Sequence, residues 1–219
     1  MSADRSIRAL VISGEGRAFC TGADLKTVMA LFDSWPDYIR FVHRLSEVFG
    51  KVEACPVPTI AKVHGYALAG GLELVLCCDL AIAADDARIG DQHANFGLIA
   101  GAGGIPRLIR RVGRQWGLEI LYTGRWLSGI EAAERGIVLR SVPFDGLDEA
   151  TAAMTDELKS KSRIGLSYTK RAALAGIDVP LETALNEERA ALIEYFSSSE
   201  HPRRGIAAFL AKAEPNFDE

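Results

Sequence analysis

Two hydrophobic textures follow one another along this chain. Up to about residue 145, short apolar runs alternate with glycine-rich breaks. "IRALVIS" (7–13) is β-branched and ends in "GEG", which predicts a strand and a turn. "TIAKVHG" (59–65) and "LAIAA" (80–84) predict a second and a third strand, and "ARIG" (87–90) a short fourth. Tyr38, Phe41, Val42, Leu45, Val48, Phe49 and Val52 recur at helical spacing over 37–53, and "CPVP" breaks that helix. In "FCTGADL" (19–25), Asp24 is placed to cap a helix. "GLIAGAGGIPRLIRRVG" (97–113) reads as a glycine loop leading into a helix, with Pro106 suited to the first turn. After "GIVLRSVP" (136–143) only helical periodicity remains, broken at "GIDVP" and "SSSEHP". The pattern predicts an α/β core over 1–145 and a helical region over 146–219.

Alternating strands and short helices would suit a doubly wound sheet, but the glycines do not suit a dinucleotide site. "GAGG" lacks the G-x-G-x-x-G spacing, no strand directly precedes it, and no acid follows about 20 residues on. With 219 residues, 48% of them hydrophobic, the chain can bury one substantial core. A net charge of −4 argues against a general nucleic-acid binder, which needs a basic surface. "MSADRSIRAL" has no apolar signal core, and no run approaches the roughly 20 apolar residues of a membrane span, so a cytoplasmic location is expected. Cys20, Cys55, Cys77 and Cys78 show no C-x-x-C spacing and read as small buried apolar residues.

One stretch does not fit a plain core. "YALAGGLELVLCCDL" (66–80) sets Gly70, Gly71 and Glu73 inside an apolar run. Glycines at a helix start leave backbone N–H groups without intrahelical partners, and the helix dipole adds partial positive charge there. Such a place can stabilise an oxyanion. Glu73, about one turn in and among apolar neighbours, is then a candidate general acid or base, although an acid at that position also serves a helix terminus.

The chain resembles the crotonase superfamily, the enoyl-CoA hydratase/isomerase proteins. The segments that carry the likeness are "RALVISGEGRAFCTGADL" (8–25), "PVPTIAKVHGYALAGGLELVLCCDL" (56–80), "FGLIAGAGGIPRL" (96–108), "LYTGRWLSGIEAAERGIV" (121–138) and "GIAAFLAKAEPNF" (205–217). The resemblance implies a spiral of ββα repeats, a C-terminal helical trimerisation region and an acyl-CoA thioester substrate. It implies no metal or redox cofactor, CoA being part of the substrate. It places the oxyanion hole at the N–H groups of Ala23 and Gly70 and the first catalytic glutamate at Glu73. Leu25, Lys26 and Gly101 are expected at the substrate site, Lys26 as the candidate for a CoA phosphate.

Two departures stand out. Where family hydratases carry a second glutamate, "ARIGDQHANFGL" has His93, which reads either as a replacement proton donor or base or as a structural loop histidine. The usual N-terminal strand pair and helix ahead of Ile7 are lacking in the sequence as given. That leaves open a late start or a chain without one wall of the acyl-CoA site. His64 is expected to be structural, and His43 and His201 to lie on polar helix surfaces. Arg107, Arg110, Arg111 and Arg114 form one helical stripe, read mainly as a solvated or intersubunit face against a phosphate- or RNA-binding one. Lys212 and Phe217 match a family segment that reaches a neighbour's CoA site, but Ala213 and Glu214 replace its usual basic residues.

The expected activity is hydration of an α,β-unsaturated acyl-CoA. The alternatives are double-bond isomerisation, thioester or C–C hydrolysis using His93, and a non-catalytic or RNA-binding relative. Leu181, Ala184, Leu185, Ala191, Leu192, Phe196, Ile206, Phe209 and Leu210 supply apolar surface that predicts self-association, and the resemblance implies a homotrimer or hexamer.

Overall fold

The structure, a computed structural model, describes residue 4 and residues 6–218. In chain order its elements begin β1 (Leu10–Ser13), α1 (Leu25–Leu31), α2 (Trp35–Glu53), β2 (Thr59–Val63), β3 (Tyr66–Leu68), α3 (Gly70–Cys77), β4 (Leu80–Ala84) and β5 (Arg88–Gly90). A 3-10 turn, His93–Phe96, leads to α4 (Gly104–Val112), α5 (Arg114–Thr123), β6 (Leu127–Ser128), α6 (Gly129–Glu134) and β7 (Arg140–Val142). Beyond a second 3-10 turn, Phe144–Gly146, come α7 (Leu147–Lys159), α8 (Arg163–Gly176), α9 (Leu181–Ser198) and α10 (His201–Leu210). No described helix is long and apolar enough to cross a membrane.

The chain divides into two compact units. The first, residues 11–53 with 59–152, holds two sheets ordered β1-β2-β4-β7 and β3-β5-β6. Successive repeats send their first strand to one sheet and their second to the other. Thus β2 pairs parallel with β4, Ile60 opposite Leu80, and β3 pairs parallel with β5, Tyr66 opposite Arg88. With α3 closing one repeat and α4–α5 the next, the chain winds as a ββα spiral. Parallel strands covered on both faces need continuous apolar runs rather than alternation. "TIAKV" and "LAIAA" meet that need, with Ile60, Ala61, Val63 and Ile82 all inaccessible. Thr59 closes the start of β2, its N–H and Oγ1 donating to Asp79 Oδ2 at 2.8 and 3.0 Å.

β3 and β6 escape the sequence pattern. At three and two residues they are too short to show a period of their own. β1 starts at Leu10, later than the apolar run that predicts it.

In the second unit, residues 1–10, 54–58 and 153–219, the regular elements among the described residues are helices, apart from Leu10 of β1. Ser162 caps α8 by accepting from the Gly165 N–H at 2.9 Å. The same hydroxyl meets His201 Nδ1 at 2.8 Å and the Tyr195 hydroxyl at 3.0 Å. His201 is therefore buried, not on a polar surface as its helical position predicts. Its ring also packs against Phe217, centroids 5.4 Å apart, which turns Phe217 inward within its own chain. His43 is exposed. Much apolar surface of α9 and α10 faces outward, including Leu181, Phe209 and Leu210.

Candidate active site

The site is built where β3 turns into α3. Ala69 makes the turn at φ 51°, ψ −118°, outside the regions open to most L-residues. Strand-like bonds hold Cys20 alongside it, its N–H donating to Tyr66 O at 3.0 Å and the Leu68 N–H donating to Cys20 O at 2.9 Å. That closeness explains Gly71, because a Cβ there would lie 1.9 Å from the Cys20 carbonyl oxygen. Gly71→Ala must push the two backbones apart. It is expected to cost about 1–3 kcal/mol, read as a lower denaturation midpoint. An unchanged midpoint would contradict this packing.

Gly70 faces the functional spot. A Cβ built on it would lie 3.3 Å from Gly22 Cα, 3.9 Å from Ala23 N and 4.0 Å from Glu73 Oε2. The two backbone N–H groups and one carboxylate oxygen thus border the same space. Among the described residues, no acceptor takes up the Ala23 or Gly70 N–H. Asp24 caps α1 by accepting from Lys26 N–H at 2.9 Å, which fixes the loop that carries Ala23.

Glu73 is 1% exposed, on a helix whose other buried side chains are Leu72, Val75, Leu76 and Cys77. Its neighbours push the Cys77 thiol, by burial above all, up to about 11. Such surroundings penalise a charge unless it is hydrogen-bonded. Oε1 meets that requirement by accepting from the N–H groups of Ala102 and Gly104 at 2.8 and 2.9 Å. Oε2, among the described residues, makes no hydrogen bond. One oxygen is anchored and the other is left for chemistry.

His93 follows β5 and is held through Asp91, itself 2% exposed. Asp91 Oδ1 accepts from the His93 backbone N–H at 3.0 Å, and both carboxylate oxygens lie 3.0 Å from Nδ1. Gln92 and Asn95 pin the same turn, each donating a side-chain N–H to Gly124 O, at 2.6 and 3.2 Å. With Nδ1 on Asp91, Nε2 is the nitrogen that can exchange a proton. Burial pushes the His93 pKa down, but the Asp91 hydrogen bond and charge, with a smaller contribution from Glu73, outweigh it and leave it raised. Among the described residues, no group of three or more His, Cys, Asp or Glu could hold a metal ion.

A carboxylate, a histidine–carboxylate pair and two free N–H groups suit acid–base chemistry on a carbonyl compound. The sequence comparisons agree in kind. A family model described as enoyl-CoA hydratase/isomerase matches residues 1–219. The chain belongs to the enoyl-CoA hydratase/isomerase family. A probable enoyl-CoA hydratase of Mycobacterium tuberculosis is 35% identical, over 98% of this chain and 81% of that protein. One of Bacillus subtilis is also 35% identical, over 98% and 83%. The solved enoyl-CoA hydratase of Bacillus anthracis superposes with a TM-score of 0.92 at 34% identity, covering 98% of this chain and 82% of the other. That of Mycobacterium smegmatis gives 0.92 at 34%, covering 99% and 83%. These are crotonase-type folds, and the protein is an enzyme of this family.

Other residues singled out within this enoyl-CoA hydratase/isomerase chain are scattered more widely. Leu25 and Lys26 are exposed on α1, next to the Ala23 loop, and Gly101 is exposed in the loop that reaches Glu73. His64 has the structural contact expected of it, Nε2 lying 3.2 Å from Gly16 O. The arginine stripe does not exist as one face. α4 ends at Val112, Gly113 turns the chain at φ 79°, and Arg114 opens α5. Arg110 and Arg111 stay exposed, while Arg107 is turned inward onto Glu53 and the Ala102 carbonyl. Helical spacing placed Arg107 with its exposed neighbours and gave no hint of its partners in other elements. Nor does spacing reveal the Ala102 and Gly104 N–H groups that hold Glu73. The "GAGG" run is the only trace they leave in the sequence.

Proposed function

We propose that this enzyme adds water across the double bond of an α,β-unsaturated acyl-CoA. The observation that carries the reading is the shared space bounded by Ala23 N, Gly70 and Glu73 Oε2. The thioester oxygen takes the Ala23 and Gly70 N–H groups, each such donor contributing on the order of 3 kcal/mol to an enolate-like transition state. Glu73 Oε2 removes a proton from water as its oxygen bonds to the β-carbon. The double-bond electrons move to the thioester oxygen, and the enolate collapses as the α-carbon takes a proton from His93 Nε2. Lys26 is assigned to a CoA phosphate. The test is a panel of enoyl-CoA thioesters with mass-spectrometric product detection: a β-hydroxyacyl-CoA supports hydration, whereas a shifted double bond means isomerisation.

A second reading, thioester hydrolysis, draws on the Asp91–His93 pair. A histidine oriented by a buried carboxylate at 3.0 Å is also what activates water for attack on an acyl carbon. It yields free CoA and a carboxylic acid, which the same panel detects.

The apolar outward surface of the helical unit is assigned to contacts with further copies, as a homotrimer or a hexamer. Phe209 at 82% exposure and Leu210 at 76% are unusual for an isolated chain. Light scattering at micromolar concentration should give a multiple of the chain mass, and a monomer there would remove this assignment.

A further inference from the structure

Glu73 acts only if its carboxylate is held in one orientation, and the structure shows a device that holds it. Arg107, in the second turn of α4, sends Nη1 to the Ala102 carbonyl at 2.9 Å. Nε and Nη2 donate to Glu53 Oε1 and Oε2 at 2.9 and 2.7 Å, a two-pronged pair in which the planar guanidinium matches the carboxylate. Glu53 is the last residue of α2. Phe49, Val52 and Leu45 of α2 pack with Leu74 and Cys77 of α3 and with Ala102 in one apolar cluster. The chain of contacts is closed: α3 carries Glu73, Glu73 is gripped by the Ala102 and Gly104 N–H groups, Ala102 is gripped by Arg107, and Arg107 is gripped by the helix packed on α3.

The backbone is shaped to admit this arginine. Gly103 lies between the two residues that bond Glu73, at φ +98°, and a Cβ there would sit 2.0 Å from Arg107 Nη1. Any larger residue evicts the guanidinium from the loop. Arg110, one turn on, donates Nη1 to Pro106 O of its own helix at 3.3 Å.

We propose that Arg107 is a positioning residue: through the Ala102 peptide it fixes the two N–H groups that hold Glu73 Oε1, and so aims Oε2 at the reacting atoms. This rests on the reading of Glu73 as the base. Lysine is a poor replacement, because its ammonium lacks the planar fork that pairs both Glu53 oxygens side by side while a further N–H reaches the Ala102 carbonyl.

The test is steady-state kinetics of enoyl-CoA hydration for Arg107→Met and Glu53→Gln, each made in the wild-type and in the Glu73→Gln background. In the wild-type background, Arg107→Met should lower kcat about 10–100-fold, the usual range for an orienting partner, with KM changed less than about 3-fold. Glu53→Gln should lower kcat less, in the same direction, and carries the test alone if Arg107→Met does not fold. In the Glu73→Gln background, where no base remains to be aimed, either change should cost less than about 3-fold further. Equal factors in both backgrounds, or a raised KM with kcat kept, would overturn the inference and leave Arg107 a general brace. Turnover untouched by Glu73→Gln itself would instead remove the base reading, and this inference with it.

Discussion

Glu73→Gln is expected to lower turnover about 10²–10⁴-fold while leaving fold and thioester binding intact, the share usually carried by general acid–base catalysis. The structure makes this substitution unusually clean. The amide oxygen can accept the Ala102 and Gly104 N–H bonds that Oε1 accepts at 2.8 and 2.9 Å. The amide nitrogen, standing where Oε2 stood, has no lone pair to take a proton. Among the described residues no cation is bonded to Glu73, so none of them is left without its partner. Steady-state kinetics beside calorimetric binding of a non-reacting acyl-CoA separate the outcomes. Unchanged turnover would make Glu73 a helix-terminus acid, and loss of the fold would make it a structural one.

The second large effect concerns His93. His93→Ala should lower hydration about 10²-fold or more, since it removes the donor to the α-carbon. His93→Glu, which places the family's second carboxylate there, should keep or raise the rate. The sign of the pH dependence follows from the raised pKa. Burial works against the charged imidazole, and the Asp91 bond and charge, then Glu73, overcome it. The charged donor therefore persists past the ordinary value of about 6.5, and the rate falls as pH rises through the higher, folded-state value. Stability has the same sign. The contribution of charged His93 is fully present below the unfolded value and is lost as pH rises through the folded one. A pH–rate profile of wild type beside both variants checks this, because the alkaline fall assigned to His93 should vanish in His93→Ala. An alanine variant as fast as wild type with the same profile would leave His93 a bystander.

Much of this is legible in the sequence. Glycines and an acid inside "ALAGGLELV" are costly in a core, so the sequence itself marks α3 as a functional helix. The continuous runs of β2 and β4 and the helical spacing of α2 likewise declare their elements, because burial on both faces or on one stripe imposes those patterns. What was not legible is held by contacts distant in sequence. His201 looks like a polar helix residue until α8 and α9 bring Ser162 and Tyr195 to it. Arg107 looks like part of a charged stripe until α2 ends in Glu53 beside it. The two N–H groups on Glu73 are backbone atoms, which no side-chain pattern encodes. The family likeness identified the glutamate. The geometry adds that only one of its oxygens is left unbonded.

The account is tested most directly by turnover of a straight-chain trans-2-enoyl-CoA in water labelled with heavy oxygen, followed by intact-product mass spectrometry. Addition of water at the β-carbon predicts a β-hydroxyacyl-CoA that carries one heavy oxygen with the CoA still attached, formed by wild type and lost in Glu73→Gln. Free CoA together with a carboxylic acid carrying the heavy oxygen, and no labelled acyl-CoA, would contradict it.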